Sequence, residues 1–178
     1  MDNLSVYKWI LYGSAVIISV IAGCFDLKQH RIPNKLTLAG IILGVVLQTV
    51  FFKWQGLLQA LVGFAAGLCW ILTYALGILG AGDVKLFIAV STILGWKDGL
   101  WVCALSIMTG GIWALAKTVF GGKGLKPLKR IYYYFLTLTA SGKYSKYEPE
   151  NAERDKFPFG MCVALGSLIY IVYVWINR

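Results

Sequence analysis

Six apolar runs divide this chain, at about residues 4–24, 36–52, 57–79, 84–96, 100–120 and 159–176, with polar or basic residues between them. A bilayer core of about 30 Å takes about 20 helical residues to cross, and within it every backbone N–H and C=O must be paired inside its own segment or a closed barrel. Runs of this length without period-two alternation predict an all-α fold, a polytopic membrane bundle of about six transmembrane helices forming a single domain over residues 1–178. The fourth run is short. From Val84 to Trp96 it makes roughly 20 Å of helix, so either the bilayer thins there or Asp83 is recessed.

Composition agrees with that reading. Hydrophobic residues make up 58% of the chain and charged residues 14%, below the roughly 25% usual in soluble domains, and the mean hydropathy is +0.70. A net charge of +9 in a soluble protein would point to a nucleic-acid partner. Here the basic residues lie between the apolar runs, where they set topology and meet anionic headgroups of the lipid bilayer, so no nucleic-acid partner is expected. An outside amino terminus puts 13 of the 17 Lys and Arg on the cytoplasmic side and leaves Lys8, Lys53, Lys97 and Arg178 on the other. The positive-inside rule therefore predicts a multi-pass protein of the cytoplasmic membrane with both termini outside. The first run starts with Asp2 rather than a basic cluster and meets no small-residue cleavage site, so it reads as a retained helix and not a secretory signal.

Several features carry no chemistry of their own. Cys24, Cys69, Cys103 and Cys162 stand singly in or beside apolar runs and read as packing residues; with His30 as the only histidine, no metal site and no cofactor are expected. The pairs Gly40/Gly44 and Gly63/Gly67 have the small-xxx-small spacing of close helix contacts. The polar stretch at about 121–156 reads as a cytoplasmic loop, and its Tyr132–Phe135 run beside Lys129 and Arg130 suits the headgroup level. Within it, Gly121–Gly124 lacks the Ser or Thr that a phosphate-binding loop needs after its lysine. The acids and bases at 146–156 mix both signs, as a solvated loop does.

The acidic residues are the sharper signal, because an ionisable group at membrane depth is costly and marks a functional site by default. Of eight, Asp2 and Asp98 fall on the outer side and Glu148, Glu150, Glu153 and Asp155 in the long loop. Asp26 and Asp83 remain. Asp26 ends the first run and Asp83 opens the fourth, with two crossings between them, so both reach the same side of the membrane. Two carboxylates a few ångströms apart resist double ionisation and share a proton, and such a dyad can activate water with one member while the other polarises a carbonyl. Taken singly, Asp83 after Gly80-Ala81-Gly82 also fits a helix cap, and Asp26 before Lys28 also fits a solvated interfacial charge.

Around each acid the sequence resembles the type IV prepilin peptidases. Asp26 followed by Arg31-Ile32-Pro33-Asn34 is similar to their first catalytic segment, and Gly80-Ala81-Gly82-Asp83-Val84-Lys85 to their G-x-G-D-x-K motif. Phe157-Pro158-Phe159-Gly160 resembles the Pro-Phe-Gly segment that opens their last helix. The resemblance implies that Asp26 and Asp83 are the catalytic pair of a GxGD intramembrane aspartic peptidase. It further implies that Gly80, Gly82, Lys85, Arg31, Pro33, Asn34, Pro158 and Gly160 bind substrate or support the site. The implied substrates are pilin-like precursors, cleaved between a short basic leader and the hydrophobic helix. The first loop holds no paired cysteines, so the chain resembles the compact form without the zinc-binding methyltransferase insertion.

Two other functions fit the same acids. One is a GxGD protease of the presenilin kind, although Phe25 stands where those enzymes carry Tyr. The other is a small proton-coupled transporter, with the aspartates as the relay. The sequence sets no oligomeric state.

Overall fold

The structure, a computed structural model, describes residues 3–76, 79–120 and 159–177, and all the regular structure among them is helical. The described residues form six elements in chain order: α1 (Asn3–Gln29), α2 (Asn34–Leu68), α3 (Ile71–Ala75), α4 (Ala81–Leu94), α5 (Trp96–Phe120) and α6 (Phe159–Ile176). Four stretches, Val6–Gln29, Asn34–Ala75, Trp96–Ala116 and Phe159–Ile176, are long and apolar enough to cross a membrane. The predicted all-α membrane bundle is thus the observed architecture. Residues 1–109 with 157–178 form one compact unit and 110–156 a second, whose described part is the last turns of α5. The predicted loop at 121–156 lies outside the described residues, as does Pro158.

Although α2 counts 35 residues as one element, it is two limbs. At Lys53 the backbone leaves the helical region (φ 54°, ψ −132°). Beyond it, a Cβ on Gly56 would run into the Gln48 carbonyl. The limb before the break packs Gly40 on Ala89 and Gly44 on Ile93, so it runs parallel to α4; the limb after it packs Gly63 on Ser91 and Gly67 on Ile88, so it runs antiparallel. The limbs therefore lie antiparallel to each other, and the predicted second and third runs become a helical hairpin. The third run ends earlier than its hydropathy implied. Helix stops at Leu68, and Cys69 and Trp70 turn the chain into the short α3.

The hairpin wraps α4, whose residues 84 and 86–94 are all buried. A helix apolar on every side is stable only when neighbours surround it, and glycine lets those neighbours come close. A Cβ at Gly44 would stand 2.9 Å from the Ile93 nitrogen, and one at Gly67 2.6 Å from the Ile88 Cα. From the other side α5 approaches through Gly99, 2.6 Å by the same measure from the Ser91 Cα. α6 then packs antiparallel to α1, with Gly160 against Gly23, the Ser19 and Ser167 hydroxyls 3.3 Å apart, and Tyr12 against Tyr170. Cys103 and Cys162 are core residues, whereas Cys24 and Cys69 are exposed.

These pairings sort the unit into two ends. One end gathers the close of α1, the starts of α2, α4 and α6, and the connection 30–33. The other gathers the α2 reversal, Gly95, and Asp98 between Tyr12 and Tyr170.

Candidate active site

Asp26 lies inside the last turn of α1 rather than beyond its end, because the helix continues to Gln29. Its side chain is buried, 7% exposed, so the solvated interfacial position open to it by sequence is not the one it takes. The partner is backbone: Gly160 N–H donates to Asp26 Oδ2 at 2.8 Å. The first N–H groups of any α-helix lack intrahelical acceptors, and here a carboxylate from α1 supplies one to α6. Glycine is what permits the approach. A Cβ at Gly160 would meet Asp26 Cβ at 3.1 Å and Gly23 Cα at 3.2 Å. Such a charge-assisted bond contributes about 1.5–3 kcal/mol.

Asp83 occupies the third position of α4, and its Oδ2 accepts the Gly80 N–H at 3.3 Å. Gly80 has no side chain with which to answer the Asp83 N–H, so this is the carboxylate half of a capping box. Both acids thus accept a backbone N–H at the start of a helix. They reach the same end of the unit, Asp26 from the close of α1 and Asp83 from the start of α4.

The two segments that carry the acids are also tied together. Lys85 Nζ donates to Asn34 Oδ1 at 2.9 Å, across 51 residues of chain. Ile32 lies beside Gly82, where an added Cβ would touch its Cβ at 3.4 Å. Pro33, at φ −62° and ψ 131°, is the residue from which α2 starts, and its carbonyl accepts the N–H groups of Leu36 and Thr37. Before it, His30 turns the chain at φ 48°, with its N–H on the Asp26 carbonyl at 2.9 Å. Arg31 is exposed on this connection.

Of the residues predicted for the site, Asp26, Asp83, Gly80, Gly82, Lys85, Pro33, Asn34 and Gly160 meet at this end of the unit, and Arg31 flanks them. Two further side chains border it that sequence reasoning did not select, Phe87 and Trp70, together with Phe159 of the Phe157–Gly160 segment. Phe87, one turn along α4 from Asp83, packs edge-on against Phe159 with ring centroids 5.8 Å apart and against Trp70 at 5.4 Å. The Trp70 indole nitrogen is buried without a hydrogen-bond partner among the described residues. The i, i+4 spacing of Asp83 and Phe87 was the available sign for one of them.

The fold defines a helical membrane protein, with two acids from distant segments at one end of its bundle. Residues 11–115, more than half of the chain, match the model of the type IV leader peptidase family, and the chain belongs to that family. Prepilin peptidase EppA of Methanocaldococcus jannaschii is 27% identical over 155 residues, an alignment covering 78% of this chain and 43% of the relative. The chain spans less than half the length of that curated relative. No solved structure matches it.

Proposed function

We propose that this protein is a prepilin leader peptidase, a membrane-embedded aspartic endopeptidase that removes the short basic leader of pilin-like precursors. Its support is the placement of Asp26 and Asp83 at the same end of the unit, from the end of α1 and the start of α4, with the segments that carry them tied by the Lys85–Asn34 bond. Family membership supports it, as does the name of the similar methanogen protein.

In the proposed reaction the pair holds one proton. The ionised carboxylate takes a proton from a water molecule as the water oxygen bonds to the scissile carbonyl carbon, and the protonated carboxyl donates to the carbonyl oxygen. As the tetrahedral diol collapses and the C–N bond breaks, the carboxyl that is now protonated gives its proton to the departing amine nitrogen and the ionised one takes a proton from a diol hydroxyl, leaving a carboxylic acid. The carboxylates end the cycle sharing one proton again, and the dyad titrates as a unit. Gly160 fixes the position of Asp26 through its N–H, while the Lys85–Asn34 and Ile32–Gly82 contacts keep the second acid in register with the first.

The end that carries the acids also carries Lys28, Arg31, Lys35 and Lys85, and the positive-inside rule assigns it to the cytoplasmic side. A precursor would present its leader there, with its hydrophobic helix in the bilayer. The test is incubation of the full chain, purified in detergent, with a co-expressed pilin-like precursor. The expected result is a mass loss equal to the leader with no proton gradient present. A preparation that leaves the precursor intact and moves a solute across liposomes would instead support the transporter.

A further inference from the structure

A cavity of about 510 Å³ opens at the end of the unit remote from the two aspartates. The residues lining it include Gln48, Gln55 and Gln59, the cationic Lys8 and Lys97, and apolar residues among which is Trp96. It sits where the α2 reversal meets the α4–α5 turn. Gly95 makes that turn at φ 83°, and a Cβ there would lie 3.2 Å from Gln59 Oε1. Gln48 is buried, its Nε2 donating to the Ile93 carbonyl at 2.9 Å.

The charges of the cavity do not cancel among themselves. Asp98 lines it, but both of its oxygens are occupied: Tyr12 donates to Oδ2 at 2.7 Å and Tyr170 to Oδ1 at 2.8 Å. Lys97 lies over the Trp96 ring at 5.3 Å, and neither lysine makes an ion pair among the described residues. Two cations against one carboxylate leave one positive charge in excess, beside amides able to donate hydrogen bonds. The surroundings place the cavity at headgroup level. Trp54, Trp96, Trp101 and Trp175 are all exposed at this end of the unit, and a collar of exposed tryptophan marks a membrane–water interface.

We propose that this cavity is a phosphate-binding site that holds the headgroup phosphate of an anionic phospholipid, with Lys8 and Lys97 as its paired cations. The amides offer further donors to the phosphate oxygens, and Leu11, Phe52 and Trp96 cover the start of the glycerol backbone. The site is independent of the chemistry assigned to Asp26 and Asp83.

The test is a calorimetric titration of the full chain in detergent with dihexanoyl phosphatidylglycerol, dihexanoyl phosphatidylcholine and inorganic phosphate in separate arms. Phosphatidylglycerol should bind most tightly. The Lys8→Gln/Lys97→Gln double variant should weaken it about tenfold or more, as loss of two charged hydrogen-bond donors requires. Lys97→Glu should weaken it at least as much. Lys53→Gln, at the same end but outside the cavity, should leave it unchanged, with thermal unfolding reporting that each variant is folded. Binding of inorganic phosphate without preference for phosphatidylglycerol would overturn the lipid assignment. Equal affinity in the wild type and both lysine variants, or no binding in any arm, would overturn the site.

Discussion

Adding one carbon at Gly160 would press α6 against Asp26 and the Gly23 backbone at 3.1 and 3.2 Å, and helix backbones do not yield as a flexible side chain does. Gly160→Ala should therefore push the Gly160 N–H away from Asp26 Oδ2 and lower precursor cleavage about tenfold, the cost of roughly 1.4 kcal/mol in positioning. Gly13, whose added Cβ would meet nothing within 4 Å, supplies the comparison: Gly13→Ala should leave both cleavage rate and thermal unfolding unchanged or slightly improved. At this scale the sequence marked Gly160 through its motif but hid how it acts. A contact made by a backbone N–H has no signature in side-chain identity, and the same is true of the Gly80 N–H on Asp83. The Lys85–Asn34 bond was hidden differently, since positive-inside placement alone accounts for a lysine at position 85.

Among the elements α4 is decisive, because both limbs of α2 pack on it and one of its ends holds Asp83. Gly63→Ala would drive a Cβ into the Ser91 carbonyl, and Gly67→Ala would place one 2.6 Å from the Ile88 Cα. Overpacking of this kind costs about 1–3 kcal/mol. Each variant should therefore unfold at lower temperature in detergent than the wild type, and the two together lower still. The small-xxx-small spacing showed that these glycines are helix contacts, but not which helix they meet. The reversal at Lys53 was legible as a polar interruption between two apolar runs, while the non-helical backbone there was not. The premature end of the third run was missed because hydropathy continues through Ile71–Ala75 while the backbone turns at Cys69 and Trp70.

For the molecule as a whole, the repeated apolar runs fixed the class of fold, since long segments of this kind have few ways to pair their backbone at membrane depth. They placed Asp26 and Asp83 at one end by counting crossings, and the structure has them there. What counting did not reveal is the opposite end, where Asp98 was readable only as an outer-turn acid. The sign was the pair of phenols in otherwise apolar runs, Tyr12 and Tyr170, whose O–H groups need acceptors when removed from water. Tyr170→Phe leaves Asp98 Oδ1 without its donor and should destabilise the protein by about 1.5–3 kcal/mol, measured by thermal unfolding in detergent. Cleavage of the precursor by the folded fraction should be unaffected, because this clasp is at the far end from the two acids. Whether Asp26 and Asp83 act as a catalytic pair is read from the intact mass of one precursor after incubation with wild type, Asp26→Asn and Asp83→Asn, each shown to be folded by thermal unfolding. The wild type should give a single truncated product and either variant less than about 1% of that rate, in keeping with loss of an acid–base pair. Near-wild-type cleavage by either variant would contradict a catalytic pair.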